Sequence, residues 1–168
     1  MFDSGLIPVR TAGPHDASAI ARIYNHYIAE SVSTFEVDAV SADDMRGRIE
    51  ELQSKSMPWL VAERDANFVG YAYAGFWHAR PAYRFSTEVT VYLDQAATGH
   101  GIGSALYERL LEIVRDAGFH VAIGGISLPN AASVALHEKL GFKQVAHYEQ
   151  TGFKFDRWID VGYWQRFL

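Results

Sequence analysis

A glycine-rich segment, Thr98–Ser104, has glycine at every second position from Gly99 to Gly103. Glycine lets backbone N–H groups approach an anion closely. The helical pattern that begins at Ile102 adds the positive partial charge of a helix N-terminus. The segment therefore predicts a phosphate or pyrophosphate site. The alternative from spacing alone is a flexible turn whose glycines only permit close packing.

The surroundings of this segment exclude two common phosphate-binding motifs. A Walker A loop ends in Gly-Lys-Ser/Thr, and the segment contains no lysine. A dinucleotide-binding loop follows the first strand of its fold and has an acidic residue about 20 positions downstream, after the next strand. Here the downstream acids Glu112 and Asp116 fall inside the predicted helix.

The elements on either side of the loop are the strongest in the chain. Ser86–Leu93 alternates almost strictly, which predicts a strand with Val89 on one face and Glu88 on the other. After the loop, an apolar stripe at helical spacing predicts an amphipathic helix that Gly118 ends. The stripe consists of Ile102, Leu106, Leu110, Ile113 and Ala117.

The rest of the chain predicts further helices and strands. Asp16 and Ser41 are the predicted N-caps of two early helices, the second running to about Gln53. The other predicted elements are a first strand Leu6–Thr11, a loop Ser33–Val37, a hairpin of Trp59–Glu63 and Phe68–Trp77 with its turn at Asp65–Asn67, a strand His120–Ile126, a helix Asn130–Leu140 ended by Gly141, and two closing strands within Phe142–Leu168. This order predicts an α+β or α/β fold with a partly antiparallel sheet.

Composition narrows the class of protein. The 168 residues suit one domain, and 49% hydrophobic with 21% charged residues is typical of globular proteins. A net charge of −5 argues against nucleic-acid binding. Without cysteine, a thiol nucleophile or disulfide is excluded. No signal or membrane-spanning pattern is present, which predicts a cytoplasmic protein without a membrane partner.

Four segments together resemble the GNAT superfamily of N-acetyltransferases, and most closely its phosphinothricin and methionine sulfoximine acetyltransferase branch. They are Ala79–Tyr83, Glu88–Leu106, Leu128–Phe142 and Gly152–Gly162. The resemblance implies a single GNAT domain over residues 1–168, with a mixed, mostly antiparallel sheet, a splayed strand pair and about four helices. It also implies acetyl-CoA as co-substrate, a small amine acceptor and a homodimer.

The resemblance also assigns the residues that contact acetyl-CoA. Backbone groups of Val91, Tyr92 and Leu93 are expected to face the thioester, Asn130 and Ser133 the pantetheine arm, and Gly99, His100, Gly101, Ile102, Gly103 and Ser104 the pyrophosphate. For Asn130, simple helix capping is the alternative. The family usually has Gln or Arg where this chain has Thr98, so the pyrophosphate contact there is reduced to a hydroxyl or passes to His100 or the backbone amides.

Glu88 and His137 are the candidate catalytic residues. In this family the acetyl group passes directly from thioester to amine, so the amine must lose a proton, and Glu88 is the expected base, directly or through water. The alternative is a glutamate on an exposed sheet face. His137 stands where many GNAT enzymes have a tyrosine general acid; it could protonate the thiolate, orient the substrate or simply pack. The remaining histidines lack metal-ligand spacing, and we expect no metal.

The acceptor is expected to lie between Phe35 on one side and Trp77, Arg80 and Tyr83 on the other, beside Glu88. An arginine there suits a carboxylate or phosphinate, and the alternative is a solvated loop. Three functions stay open: acetylation of a small amino acid or analogue, acetylation of a protein N-terminus or other amine, and a non-catalytic acyl-CoA-binding module.

Overall fold

The computed structural model describes residues 7–168, which form one seven-stranded sheet with helices on both faces. The strands are β1 Val9–Thr11, β2 Trp59–Arg64, β3 Asn67–Phe76, β4 Ser86–Leu93, β5 Val121–Leu128, β6 Lys143–Lys154 and β7 Arg157–Phe167. The helices are α1 Ala17–Glu30, α2 Ala42–Ser54, α3 Ile102–Asp116 and α4 Ala131–Lys139, with short 3₁₀ turns at Pro14–Asp16, Pro81–Tyr83 and Gln95–Ala97.

The strand order is β1-β2-β3-β4-β5-β7-β6. Every neighbouring pair is antiparallel except β4 and β5, which are parallel and are connected through α3. The predicted mixed, mostly antiparallel sheet with four α-helices is therefore confirmed. The parallel pair lies at the centre of the sheet, directly after the strongest strand in the sequence.

The alternation along β4 separates two hydrophobic cores. Val89 packs with Leu106 and Leu110 of α3 on one face of the sheet. On the other face, Ile20 of α1 packs with Ile49 of α2. Tyr92 of β4 packs against this second core, so β4 contributes to both. Its position is therefore fixed from both faces, and so is the direction in which Glu88 points.

Local signals placed most element ends within two residues; the strand predicted as His120–Ile126, for example, is Val121–Leu128. Ser41 and Asn130 cap α2 and α4 through side-chain oxygens that accept the backbone N–H three residues later. Asp16 does not cap α1 in this way, because its carboxylate accepts hydrogen bonds from the Gly13 amide and the Arg10 guanidinium. The predicted strand that ended at Trp77 stops at Phe76.

Two further comparisons with the sequence concern the N-terminal strand and the membrane. The predicted first strand is found from Val9, whereas Leu6 lies outside the described residues. Among the helices of residues 7–168, none has both the length and the apolar character needed to cross a membrane.

Candidate active site

The site lies where β4 and β5 separate. The two strands pair over three positions only, from Ser86–Val121 to Glu88–Ile123. Beyond these positions β4 stays paired with β3 as far as Leu93, and β5 stays paired with β7 as far as Leu128. The separation therefore leaves a gap in the middle of the sheet without unravelling either side, as the predicted splayed pair requires.

A cavity of about 420 Å³ occupies this gap on the side of α3 and α4. We call it the cofactor cavity. Of the residues predicted to bind acetyl-CoA, it is lined by Val91, Tyr92, Leu93, Gly99, Gly101, Ile102, Gly103, Ser104, Asn130 and Ser133. Asn130 both caps α4 and lines the cavity, so capping and ligand contact are compatible at this residue. His100 is exposed and does not line the cavity, so the pyrophosphate contact expected of it stays a prediction.

The backbone of β4 presents polar groups to the gap at alternate residues. The Val89 carbonyl accepts a hydrogen bond from Tyr107, and the Leu93 carbonyl accepts one from Tyr27, so odd-numbered residues direct their N–H and C=O groups to this side. The Asp94 amide instead donates to Val69 of β3. By this alternation the Val91 and Leu93 amides face the gap, whereas the Tyr92 amide faces β3. Of the three backbone groups expected to face the thioester, that of Tyr92 is therefore directed towards β3 instead.

The glycine loop has the geometry of an anion site. Gly101 is the N-cap of α3 with φ of 79°, a left-handed conformation that favours glycine, and no side chain caps the helix. The amides of the first helical turn have no intrahelical acceptor and line the cavity. Thr98 does not replace the usual basic residue, because its hydroxyl donates to Gln95 O at 3.1 Å.

A second cavity of about 380 Å³ surrounds Glu88. We call it the acceptor cavity. Phe35, Tyr148 and Tyr163 contribute its aromatic walls, and Ser33, Gly125 and Ser127 line both cavities. Burial raises the pKa of Glu88, and the neighbouring His78 opposes this shift. Among the described residues, no side chain donates a hydrogen bond to its carboxylate, so Glu88 is available to a ligand.

The segment 31–36 carries Phe35 and is fastened from three directions. Lys154 is buried and donates to the carbonyls of Ser31 and Thr34 at 2.8 and 2.9 Å. The Ser127 hydroxyl donates to the Val32 carbonyl. The ring of Phe35 covers Gly152 so closely that a Cβ there would lie 2.2 Å from it. These contacts fix the wall that the two cavities share.

His137 and Tyr107 form a buried pair at the inner end of the cofactor cavity. His137 Nδ1 lies 2.8 Å from the Ser133 carbonyl, which can only accept, so Nδ1 carries the proton. With a neutral ring, Nε2 can only accept, so the single proton of the Tyr107 hydroxyl is shared between Nε2 at 3.3 Å and the Val89 carbonyl at 3.2 Å. Burial lowers the pKa of His137 below its ordinary 6.5. The neutral imidazole argues against His137 as the acid for the thiolate and favours an orienting role.

The loop before β4 holds the other predicted acceptor residues outside the immediate cavity lining. Trp77 packs edge-on against Tyr163, with ring centroids 5.4 Å apart, and so supports the cavity wall from behind. Tyr83 contacts the ring of His78 at 4.9 Å. Arg80 is exposed at the start of the 3₁₀ turn Pro81–Tyr83 and lines neither cavity.

Sequence reasoning missed Tyr107 and Lys154. Tyr107 is 1% exposed, and burial raises its pKa well above the ordinary value, which keeps the hydroxyl protonated. The available signal was a tyrosine next to the apolar stripe of α3, since a buried phenol must find a hydrogen-bond partner. For Lys154 the only signal in the sequence was its place in the segment Gly152–Gly162. Its hydrogen-bond acceptors lie more than a hundred residues earlier in the chain, so no local pattern indicated them.

Comparison with known proteins agrees with this geometry. The sequence profile of the family described as Acetyltransferase (GNAT) domain matches residues 9–162. Phosphinothricin N-acetyltransferase of Streptomyces viridochromogenes is 39% identical over 95% of this chain and 87% of its own length. The L-methionine sulfoximine/L-methionine sulfone acetyltransferase of Salmonella typhimurium is 36% identical over 94% of this chain and 92% of its own.

A solved structure extends the likeness to the fold. The phosphinothricin acetyltransferase of Sinorhizobium meliloti in complex with acetyl-CoA superposes with a TM-score of 0.94 at 35% identity, covering 97% of this chain and 89% of that one. The chain belongs to the GNAT acetyltransferase family. It is an acetyl-CoA-dependent acetyltransferase, and its glycine loop, gap and shared wall fit that co-substrate.

Gly125 is one of the three residues that line both cavities, and it provides a test of the site. A Cβ at this position would lie 3.1 Å from the Tyr163 ring and 3.7 Å from Glu88 Oε1. In Gly125→Ala we expect kcat/KM for the acceptor to fall about tenfold or more, the usual effect of a misplaced methyl group in a pocket.

Calorimetry should show CoA binding to Gly125→Ala within about twofold of wild type, because the glycine loop and α4 are untouched. Gly47→Ala is the control, since its Cβ meets open space on α2. Unchanged acceptor kinetics in Gly125→Ala would place the transfer elsewhere in the gap.

Proposed function

We propose that the protein acetylates the α-amino group of a small amino-acid-like acceptor of the phosphinothricin or methionine sulfoximine type. The observation that carries this proposal is the carboxylate of Glu88, which accepts no hydrogen bond from a side chain of residues 7–168 and lies in a cavity that shares Gly125 with the cofactor cavity. The printed activities of the two relatives name the same acceptor class.

The size of the acceptor cavity supports a small molecule. A volume of about 380 Å³ lies near the lower limit for small-ligand pockets. Phe35 and the segment that carries it cover one side of this space, and Tyr148 and Tyr163 cover others. A protein N-terminus would require a groove that admits an extended chain past these rings.

Glu88 is the proposed base. An α-ammonium group has a pKa of about 8 and arrives mostly charged at neutral pH. The carboxylate attracts the ammonium and then accepts its proton, directly or through water. Burial brings the pKa of Glu88 upwards, closer to that of the amine, which makes proton transfer less unfavourable.

The proton balance needs no further acid. The ammonium nitrogen starts with three protons, and the amide product keeps one. As the N–C bond forms and the C–S bond breaks, one proton leaves through Glu88 to solvent and the other is available to the thiolate sulfur. This balance agrees with a His137 that is neutral and already bonded at both ring nitrogens.

Charge that develops on the acetyl oxygen needs a donor inside the gap. The Val91 amide faces this side of β4, and we propose it as that donor. Tyr107 lines the same cavity, and its one hydroxyl proton reaches that oxygen only by turning away from the Val89 carbonyl and His137 Nε2. Since burial holds its pKa high, Tyr107 acts through a hydrogen bond and not by giving up its proton.

We propose further that the chain is a homodimer. β6 is an edge strand, and the β6–β7 hairpin exposes Phe153 and Trp158, which are 55% and 62% accessible with rings 4.9 Å apart. An exposed apolar patch on an edge strand is typical of an interface. Light scattering should give twice the chain mass for wild type and a monomer for Trp158→Glu; a monomeric wild type at micromolar concentration would contradict the proposal.

The remaining proposals concern location and domain organisation. Acetyl-CoA is an intracellular co-substrate, which supports a cytoplasmic location, and cell fractionation would test it.

We also propose that residues 1–168 act as one domain, because a single sheet joins the elements from β1 to β7. A single cooperative unfolding transition would agree with one domain, and two separate transitions would not.

Release of free thiol from acetyl-CoA, measured with a panel of amines, tests the function. We expect turnover with methionine sulfoximine or phosphinothricin, and little with a peptide N-terminus or a simple alkylamine. Turnover only with peptides would favour the protein N-terminus. Binding of acetyl-CoA without turnover of any amine would favour a non-catalytic module.

Arg80→Ala tests recognition of the acceptor's acid group. Arg80 is exposed, and its guanidinium has no hydrogen-bond partner among the described residues, so it is available to an anion arriving at the cavity. We expect KM for an anionic acceptor to rise about tenfold or more, the effect of losing one charged hydrogen bond, with KM for acetyl-CoA nearly unchanged.

Arg84→Ala is the matched control for Arg80→Ala. The Arg84 guanidinium donates to the Pro81 carbonyl and stacks 4.5 Å from the Phe85 ring, so it is already engaged within the loop. Equal increases in both substrates' KM values for Arg80→Ala would indicate general damage and not acceptor recognition.

A further inference from the structure

Tyr24 of α1 contacts the residues on both sides of Phe35. Its hydroxyl lies 2.7 Å from Thr34 Oγ1 and donates to Glu36 Oε1 at 3.0 Å. A carboxylate can only accept, so the single phenolic proton goes to Glu36, and the Thr34 hydroxyl donates to the Tyr24 oxygen. Burial raises the pKa of Tyr24, which keeps this proton in place at neutral pH. One hydroxyl therefore joins the two side chains that flank Phe35.

The backbone between these two side chains forms a tight turn. The Glu36 amide donates to Thr34 Oγ1 at 3.2 Å, while the proton of the Thr34 hydroxyl goes to Tyr24. Such a bond from a threonine oxygen to the amide two residues later closes the chain around the residue between them. That residue is Phe35, so the direction of its ring is linked to the position of Tyr24.

Arg48 of α2 orients the Glu36 carboxylate from the other side. Its guanidinium donates to Glu36 Oε1 at 2.7 Å and to Oε2 at 3.1 Å, a bidentate geometry that sets the plane of the carboxylate. These hydrogen bonds also lower the pKa of Glu36, so the carboxylate is ionised at neutral pH. Both side chains are more than a third exposed, so the ion pair contributes orientation more than stability.

The Tyr24 ring is itself fixed against the central sheet. Tyr24 is buried and packs edge-on against Tyr92 of β4, with ring centroids 5.3 Å apart. The Tyr92 hydroxyl donates to the Ser33 carbonyl at 3.2 Å. Since β4 also carries Glu88, the strand of the proposed base and the segment of Phe35 are held relative to each other through two tyrosines.

We propose that Tyr24 is a positioning residue for acceptor specificity, because its hydroxyl holds the Phe35 ring in the wall of the acceptor cavity. The proposal rests on the proposed function, since it concerns the same cavity. Phe35 lines that cavity but is 42% exposed, so burial alone does not fix its ring. With the ring held, the cavity keeps the size that favours a short amino-acid-like acceptor over a bulkier one.

The test compares Tyr24→Phe, which removes the hydroxyl and keeps the ring, with the matched control Tyr71→Phe. Tyr71 is 1% exposed in the same hydrophobic core, and its hydroxyl has no hydrogen-bond partner among the described residues. It lines neither the cofactor cavity nor the acceptor cavity. Two measurements are made on each variant: steady-state kinetics with methionine sulfoximine and with phenylalanine as a bulkier amino acid, and hydrogen–deuterium exchange of residues 31–36.

We expect Tyr24→Phe to raise KM for methionine sulfoximine by about three- to tenfold, the effect of losing one hydrogen bond, with acetyl-CoA affinity unchanged. The preference for methionine sulfoximine over phenylalanine in kcat/KM should fall by a similar factor. The amides of residues 34–36 should exchange faster than in wild type and in Tyr71→Phe. In a Phe35→Ala background, Tyr24→Phe should change KM little further, because the hydroxyl acts through the Phe35 ring.

Three results would overturn the proposal. Wild-type exchange of residues 34–36 in Tyr24→Phe would mean that the hydroxyl does not hold the segment. Equal losses in Tyr71→Phe, or for acetyl-CoA, would indicate general damage to the core. Additive effects of Tyr24→Phe and Phe35→Ala would mean that Tyr24 does not act through the ring.

The exchange measurement separates this proposal from the proposed function, because it needs no turnover. A wild type that acetylates neither amino acid would contradict the proposed function and, with it, the role in specificity. Faster exchange in Tyr24→Phe alone would still support the hold of the hydroxyl on the segment, and unchanged exchange would refute it.

Discussion

The hydrogen bonding between β4 and β5 stops at Glu88 and Ile123, and the rest of the site depends on that interruption. In a continuous parallel pair, the amides of Val91 and Leu93 would donate hydrogen bonds to carbonyls of the neighbouring strand. Here each strand keeps its outer partner, so the backbone groups facing the gap are held rigidly while lacking a partner strand. An unsatisfied buried backbone group is costly, and the gap is therefore tolerated where ligands and side chains such as Tyr107 can supply the missing contacts.

Small residues on the β5 side of the gap make room for this arrangement. A Cβ at Gly124 would lie 2.3 Å from His137 Nε2, so the histidine can pack against the strand only because glycine stands there. At Gly125, the next residue, a Cβ would instead approach the Tyr163 ring and Glu88 Oε1, so glycine there leaves space beside Glu88. The two adjacent glycines thus make room for different groups, the first for His137 and the second for the space around Glu88.

Burial sets the protonation states around the gap. It lowers the pKa of His137, raises that of Tyr107 and raises that of Glu88, so each group is biased towards its neutral form. For Tyr107 the neutral form keeps the hydroxyl proton that the Val89 carbonyl and His137 Nε2 share. For Glu88 the shift means that the basic form is lost as the pH falls through its raised pKa, at a higher pH than for an exposed glutamate.

Much of this arrangement was predictable from the sequence, because local patterns determine it. Strict alternation over Ser86–Leu93 predicted Glu88 and Val89 on opposite faces of a strand. The glycines of Thr98–Ser104 predicted a helix N-terminus with room for an anion. Contacts between distant segments were not predictable in the same way. The carbonyls that Lys154 binds belong to another segment, and only the packing of the two segments brings them together. Arg80 is the opposite case, since the resemblance selected it and the fold leaves it outside both cavity linings.

The pH dependence of kcat in Glu88→Gln is the most direct test of whether Glu88 takes the proton of the attacking amine. Glutamine keeps the shape and removes the basicity. If Glu88 is the base, kcat at neutral pH falls by about 10²–10⁴, the range for loss of a general base. The rate then recovers partly as the pH rises towards the pKa of the amine, while CoA affinity and the melting temperature stay near wild type. A variant with wild-type kcat at neutral pH and an unchanged pH profile would exclude Glu88 as the base.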